Sequence, residues 1–233
     1  MNVAIIAAGG QGTRMGGERA KQFLELSGTP VIIHTLRRFD ECAEVGETIV
    51  VVPAADVKDF LELAGKAGLR KLARVVAGGG TRTESVWRGL QAVRAETARV
   101  VAVHDAVRPL VTPEEIDATV RAADASGAAI LAARAVDTIK EAEGTNVLRT
   151  LDRARLWHAQ TPQCFRYDLL RRAYERALAE GFEATDCSAL VERLGAPVSI
   201  VEGTARNIKI TTPQDLALAE ILMKSGARSQ ESE

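Results

Sequence analysis

Within the first 21 residues, a glycine-rich run, Gly9-Gly10-Gln11-Gly12-Thr13-Arg14-Met15-Gly16-Gly17, is followed by Lys21, seven residues after Arg14. Glycines reach backbone angles that side chains forbid, so such a loop can turn its N–H groups inward around an anion. Arg14 and Lys21 set positive charge beside those donors, the guanidinium as a two-pronged grip and the ammonium as a point charge. The set describes a cradle for a polyphosphate. A P-loop would need GKS or GKT after four intervening residues, the GxGxxG spacing fails by one place, and no acid closes a second strand about 20 residues on. The GxGxRM loop with its trailing lysine suits a triphosphate held by two cations.

Further constellations lie downstream. Gly78-Gly79-Gly80-Thr81-Arg82-Thr83-Glu84-Ser85 follows a short apolar run. Backbone there can approach a flat ring, with Ser85 bonding a base edge, although the stretch taken alone reads first as a turn with a capping box from Thr81 to Glu84. His104-Asp105-Ala106-Val107-Arg108-Pro109 ends the next apolar run. A carboxylate at a strand end, opposite a phosphate loop, is placed to hold Mg²⁺ against phosphate oxygens, and Arg108 to bind an anionic group. An Asp and an Arg three apart more often form a plain ion pair, and position favours function here. Polar clusters follow at Asp137 to Lys140, Leu151 to Trp157 and Asn207 to Thr211, where Arg153 and Lys209 are candidate phosphate ligands. His34, His104 and His158 have no metal-like spacing and read as core or surface residues.

These residues need a scaffold, and the apolar pattern supplies one. Val3 to Ala8, Thr48 to Val52, Val75 to Ala77, Val100 to Val103, Ala128 to Leu131 and Val198 to Val201 read as buried strands. Pro30 to Phe39, Asp56 to Ala67, Glu84 to Ala95, Pro113 to Ala125, Tyr167 to Leu178, Cys187 to Leu194 and Pro213 to Met223, the last capped by Thr212, read as helices. The alternation predicts an α/β fold with a Rossmann-like, doubly wound, mainly parallel sheet whose ligands sit beyond the carboxyl ends of its strands. The pattern breaks at residues 137–155. A hairpin turn at Glu143 to Asn146, flanked by Val136 to Ile139 and Val147 to Leu151 as paired strands, predicts a projecting β-hairpin arm, packed on a second subunit rather than exposed. Residues 1–225 read as a single domain and 226–233 as a disordered tail.

Composition narrows the partners. The 233 residues, 46% hydrophobic with a net charge of −1 and 4% aromatic, favour one α/β core and speak against a nucleic-acid face or an anionic membrane partner. Cys42, Cys164 and Cys187 are odd in number and far apart, which argues against a disulfide framework and for a reducing cytoplasm. The first apolar run is neither a signal peptide nor a membrane span.

Taken in order, AGGQGTRM, AKQF, GGGTRTESV, VHDAVRP, DTIK, LDRxxLWxAQTPQ, TD and NIKIT resemble the 2-C-methyl-D-erythritol 4-phosphate cytidylyltransferase family over nearly the whole chain. The resemblance implies transfer of CMP from CTP to methylerythritol phosphate with release of pyrophosphate, in a homodimer whose arms exchange contacts. It gives Gly10, Gly12, Arg14 and Lys21 to the triphosphate, with Arg14, Lys21 and Lys209 as catalytic cations. Ala8, Gly9, Gly79, Gly80 and Ser85 would surround cytosine, and Asp105 would bind Mg²⁺ near the ribose. Arg108, Thr138, Arg153, Thr185 and Lys209 would bind methylerythritol phosphate, Thr138 and Arg153 from the neighbouring subunit. Ala20, Gly9, Gly80 and Cys187 depart from the family's usual proline, alanine, acid and second acid. Ribitol 5-phosphate cytidylyltransferases, guanylyl- or uridylyltransferases and a non-catalytic nucleotide sensor are the competing readings.

Overall fold

A computed structural model describes residues 1–9 and 21–230, without the side chains of Lys21 and residues 226–230. Gly10, Gly12 and Arg14 therefore lie outside the described residues. From the N-terminus come β1 (Val3–Ala7), β2 (Glu25–Leu26), β3 (Thr29–Pro30), α1 (Val31–Glu41), β4 (Glu47–Val52), α2 (Val57–Ala67), β5 (Leu72–Ala77), α3 (Arg82–Gln91), β6 (Val100–Asp105), α4 (Pro113–Ser126) and β7 (Ala128–Arg134). The arm strands β8 (Lys140–Glu143) and β9 (Asn146–Thr150) follow, then β10 (Trp157–Arg166), α5 (Tyr167–Ala179), α6 (Cys187–Arg193), β11 (Ser199–Glu202) and α7 (Pro213–Gln230). The main sheet has the order β11-β7-β10-β6-β1-β4-β5. Its pairings are parallel except the two made by β10.

Both faces of this sheet are covered, and the pleat decides which residue goes where. Ala4 and Ile6 of β1 point to one side, where Leu36 and Phe39 of α1, Phe60 of α2 and Ile116 of α4 pack. Val3 and Ile5 point to the other, against Val86 and Leu90 of α3, Leu170 of α5 and Leu190 of α6. The fold is thus the expected Rossmann-like α/β layer structure. A Cβ at Gly89 would come 2.7 Å from Ile5 and 2.9 Å from Val51, so glycine lets α3 lie close on β1 and β4. Helix α3 begins two residues before the expected Glu84, because Thr81 Oγ1 caps it by accepting from the Glu84 N–H at 3.1 Å. The reciprocal half of the expected capping box is replaced, since the Glu84 carboxylate accepts from the Gly80 N–H at 2.7 Å.

The arm is a hairpin, but its pairing differs from expectation. Glu143 pairs with Asn146 across the Gly144-Thr145 loop, with Gly144 at φ 58, and Lys140 pairs with Thr150. The ladder runs back from that short loop and shifts by one residue between Glu141 and Ala142, passing over Leu148, so that Lys140, not Val136, stands opposite the end of β9. Val136, Val147 and Leu148 are 73%, 61% and 58% exposed, so these three apolar side chains find little cover within one chain, whereas Ile139 and Leu151 are half-buried. Strand β10 had no counterpart among the expected strands, since Pro162 and three buried polar residues, Gln160, Thr161 and Gln163, hide it from a reading by hydrophobicity. Helix α7 extends beyond the expected Met223 to Gln230. Among the described residues no helix is long and apolar enough to cross a membrane. All three cysteines are free and buried, and burial raises the Cys42 thiol to about 11.

Candidate active site

Three chain turns converge at the carboxyl edge of the sheet. In β1, Ala7 lies opposite Val51 of β4 and Asp105 of β6. The next backbone groups hold the turns together: Ala8 N–H donates to Val51 O at 2.8 Å, Ala106 N–H to Ala7 O at 3.0 Å and Gly78 N–H to Val52 O at 2.7 Å. Ala8, Gly9, the Gly78–Gly80 turn and Asp105 therefore share one rim. Ser85, on the first turns of α3, sits beneath it with Oγ accepting from the Gly79 N–H at 3.1 Å. A Cβ on Gly9 or Gly78 would come 3.0 or 2.8 Å from that oxygen, so the backbones approach the hydroxyl as only glycine comfortably allows. Gly80 lies at the exposed end of the turn.

Lys21 begins a short 3-10 turn, Lys21–Phe23, and the next residue ties that turn to the rim. Gln22, 1% exposed, donates from Nε2 to Ala8 O at 2.8 Å and so closes the base of the glycine loop. Gln22→Ala deprives the buried Ala8 carbonyl of this donor and is expected to cost about 1–3 kcal/mol. It should also weaken CTP binding more than acceptor binding. Denaturant melts and calorimetric titrations check the two effects separately, and unchanged CTP affinity would confine Gln22 to holding the fold.

Asp105 is the electrostatic centre. Its carboxylate is 11% exposed and faces three cations: Lys209 Nζ at 2.8 Å from Oδ2, Arg108 Nε at 3.7 Å from Oδ2, and Arg82 Nη2 at 3.7 Å from Oδ1. Burial alone would push this carboxyl up, but Lys209, then Arg82 and Arg108, overcome it and hold the carboxyl at about 2. Three positive charges around one negative leave a local excess suited to anionic ligands. Arg108 Nε is buried and without a hydrogen-bond partner, while its Nη1 donates to Asn207 O at 2.7 Å.

A buried network holds these groups in place. Thr161 Oγ1 accepts from the Asp105 N–H at 3.1 Å and lies 3.0 Å from His104 Nδ1. Arg108 O, 3.2 Å from Nε2, can only accept, so the neutral imidazole carries its proton on Nε2 and Nδ1 accepts from the Thr161 hydroxyl. Burial pulls the His104 pKa down to about 4, in keeping with this neutral ring. Asn207, fully buried, donates to Thr161 O at 2.9 Å and thereby fixes the Lys209 segment to β10. The expected core or surface role for His104 is met as core.

The remaining expected site residues divide. Thr185 is exposed, immediately before Asp186, whose Oδ1 caps α6 by accepting from the Ala189 N–H at 2.9 Å. Thr138 and Arg153 are exposed at the base of the arm, where Arg153 Nη1 donates to Val136 O at 2.8 Å. One chain therefore assembles Ala8, Gly9, Gly79, Ser85, Asp105, Arg108 and Lys209 at the sheet edge and puts Thr138 and Arg153 on the hairpin. Sequence reasoning passed over Arg82, Thr161, Asn207 and Gln22 as individuals. Each stands inside a quoted motif, and each is polar where the fold buries it wholly or in large part.

Among the described residues, no group of three or more His, Cys, Asp or Glu side chains is arranged to hold a metal ion. A single carboxylate fits a magnesium ion bound mainly by phosphate oxygens and water, and Arg82 Nη2 stands 3.7 Å from Oδ1 of Asp105, beyond hydrogen-bonding distance.

Comparisons with known proteins cover nearly the whole chain. A family model described as IspD, 2-C-methyl-D-erythritol 4-phosphate cytidylyltransferase, matches residues 2–225. The cytidylyltransferase of that name from Pelotomaculum thermopropionicum is 46% identical over 224 residues, covering 95% of this chain and 94% of the relative. Its counterpart from Bacillus velezensis is 47% identical over 224 residues, covering 96% of each. Among solved structures, the 4-diphosphocytidyl-2C-methyl-D-erythritol synthase from Anaerococcus prevotii superposes with a TM-score of 0.85 at 31% identity, covering 96% of this chain and 98% of that one. The Thermus thermophilus cytidylyltransferase does so with a TM-score of 0.76 at 35% identity, covering 95% and 98%. With a family match across nearly all of its length and close relatives of one description, the chain belongs to the 2-C-methyl-D-erythritol 4-phosphate cytidylyltransferase family.

Proposed function

We propose that the rim at the ends of β1, β5 and β6 is the site at which this cytidylyltransferase moves CMP from CTP to 2-C-methyl-D-erythritol 4-phosphate, releasing pyrophosphate, in isoprenoid precursor synthesis. The observation that carries the site is the Asp105 carboxylate ringed by Lys209, Arg108 and Arg82 beside the Ala8–Gly9 turn. Ala8, Gly9, Gly79, Gly80 and Ser85 take the cytosine, while Gly10, Gly12, Arg14 and Lys21 take the triphosphate. Arg108, Thr185 and Lys209 take the acceptor, completed by Thr138 and Arg153 of a second copy of the chain.

The acceptor's phosphate oxygen is already ionised at neutral pH, so the attack needs no base. Its lone pair forms a bond to the α-phosphorus of CTP as the bond to the bridging oxygen breaks, and that oxygen leaves on pyrophosphate. Arg14, Lys21 and Lys209 neutralise the charge that builds on the α-phosphate, and the turns hold the reactants in line. Asp105 would hold Mg²⁺, which when bound neutralises triphosphate charge. Residues 1–225 act as one nucleotidyltransferase domain, and α7 continues past it to Gln230. The exposed Val136, Val147 and Leu148 support docking of the 137–155 arm on a second copy as a homodimer. The composition supports a cytoplasmic enzyme that takes small-molecule substrates.

The test is pyrophosphate release from CTP with Mg²⁺ and either methylerythritol phosphate or ribitol 5-phosphate. Release with the first acceptor and CTP, exceeding that with ATP, GTP or UTP, is the expected result. Equal or faster release with ribitol 5-phosphate would overturn the acceptor assignment.

A further inference from the structure

Arg82 is the first residue of α3, directly after the Gly78–Gly80 turn and its Thr81 cap. Its guanidinium faces two ways. Nη2 lies 3.7 Å from Asp105 Oδ1, and Nη1 donates to Cys187 Sγ at 3.5 Å. Cys187 is the first residue of α6 and stands two places after Thr185. The thiol is itself fixed. Tyr174 Oη of α5 lies 3.2 Å from the same sulfur, and both residues are buried. The Cys187 N–H donates to Gln163 Oε1 of β10 at 2.9 Å, which anchors the start of α6 to the sheet.

Arg82 thus touches, or is continuous with, three segments that the reading above gives to different parts of the reaction. These are the glycine turn beside the base, the carboxylate at the end of β6, and the 185–187 turn beside the acceptor. A planar guanidinium has N–H groups on separate edges and can face two partners at once, whereas an ammonium acts as a point charge. Neither contact is strong, since sulfur accepts weakly and 3.7 Å exceeds a hydrogen bond. The arrangement therefore bears on geometry more than on folding energy.

We propose that Arg82 is a positioning residue, which sets Asp105 and the Thr185 turn in register with the nucleotide turn so that the acceptor phosphate meets the α-phosphate in line. This rests on the roles given above to Asp105 and Thr185. Three parts of one reaction then share a single side chain, and Cys187 is the fixed post at its far end.

The test uses the full chain with Arg82→Lys, Arg82→Met, Cys187→Ala, the double variant Arg82→Met/Cys187→Ala, and Asp105→Asn, each followed by steady-state kinetics, CTP titration and thermal melting. Displacements of about 1 Å cost up to about 10²-fold in rate, so Arg82→Lys is expected to lose about 10- to 10²-fold in kcat with CTP affinity within about twofold of the parent. Cys187→Ala should lose about threefold or more, and the double variant should be no worse than Arg82→Met alone, because coupled residues are not additive. Additive losses would overturn the link through Cys187. Melting shifts with unchanged kcat per folded enzyme would reduce Arg82 to a structural residue and overturn the proposal. A normal kcat in Arg82→Lys, with CTP affinity lost only in Arg82→Met, would make Arg82 a plain phosphate ligand and also overturn it. Asp105→Asn separates the two levels: an active Asp105→Asn enzyme brings down the reading of Asp105 and this inference with it. An inactive one beside a fully active Arg82→Lys brings down the inference alone.

Discussion

Asp105→Asn is expected to lower turnover by about 10²-fold or more, the scale seen when a charge that organises a transition state is lost. It should also weaken the fold measurably, because two distinct duties end at this carboxylate. The first belongs to the proposed reaction: without it Lys209, Arg108 and Arg82 face one another with no shared anion, and the carboxylate proposed to hold Mg²⁺ is gone. The second is energetic. The folded protein holds the carboxyl at about 2 against an ordinary 3.8, which corresponds to about 2 kcal/mol in favour of the folded state. A carboxyl whose pKa is depressed by folding stabilises fully above its unfolded value and loses that contribution as pH falls through the folded value. The stability gap between the parent and Asp105→Asn should therefore be constant from neutral pH down to about 4 and close toward about 2. Urea melts at a series of pH values, without added divalent cation, check the window. A gap that persists unchanged at the lowest pH would show that the carboxylate's ion contacts are not its source.

How much of this was legible in advance depended on what each segment is made of. The strands with near-continuous apolar character, β1, β4, β6 and β7, could be read directly because burial on both faces demands that composition. Strand β10 could not, because its inward residues do polar work: Gln160 donates to Thr204 O, Thr161 binds His104, and Gln163 holds the start of α6. A strand that serves as a hydrogen-bonding rail looks like a loop to any hydrophobicity pattern. The arm was recognisable from its turn, but its register follows from the two-residue Gly144-Thr145 loop together with a one-residue shift at Leu148 rather than from the apolar residues on either side.

The site shows the same division. Asp105 and Lys209 were identifiable because their charge at a strand end and in a polar run near the C-terminus already implied phosphate chemistry. That they meet at 2.8 Å was not, since 104 positions separate them and only the return of the chain along α7's approach brings them together. Arg82 sat in plain view inside GGGTRTESV, overshadowed by the glycines and Ser85, whose Oγ in fact shapes the turn through the Gly79 N–H. Gln22 had no signal beyond its neighbour Lys21, because a single side-chain amide closing a loop leaves no periodic trace.

Lys209→Ala is expected to separate rate from stability most cleanly. Its ammonium is 2.8 Å from Asp105 Oδ2, yet the side chain is 40% exposed, so one side of it already meets water. Its partner carboxylate is only 11% exposed, so leaving that charge to two more distant cations is expected to cost about 1–3 kcal/mol, which kcat per folded enzyme keeps apart from the rate. The backbone has other moorings: the Ile210 N–H donates to Val107 O at 2.9 Å, Ile210 is fully buried, and Asn207 ties the same segment to β10. Losing Lys209 also removes the largest influence holding the Asp105 carboxyl down, so burial pushes it up against Arg82 and Arg108 alone. A fall in rate that is the same at pH 7.5 and 9 would report the missing ammonium, whereas recovery at the higher pH would report a protonated Asp105. Removal of one preorganised charge at a reacting group costs about 10²- to 10³-fold, and kcat and kcat/KM should fall together by that amount if the charge acts in the transition state. Lys209→Arg, which keeps the charge on a longer planar group, should recover part of the rate. If only KM for the acceptor rises while kcat holds, Lys209 binds the ground state and the transition state alike, and its place among the catalytic cations is lost.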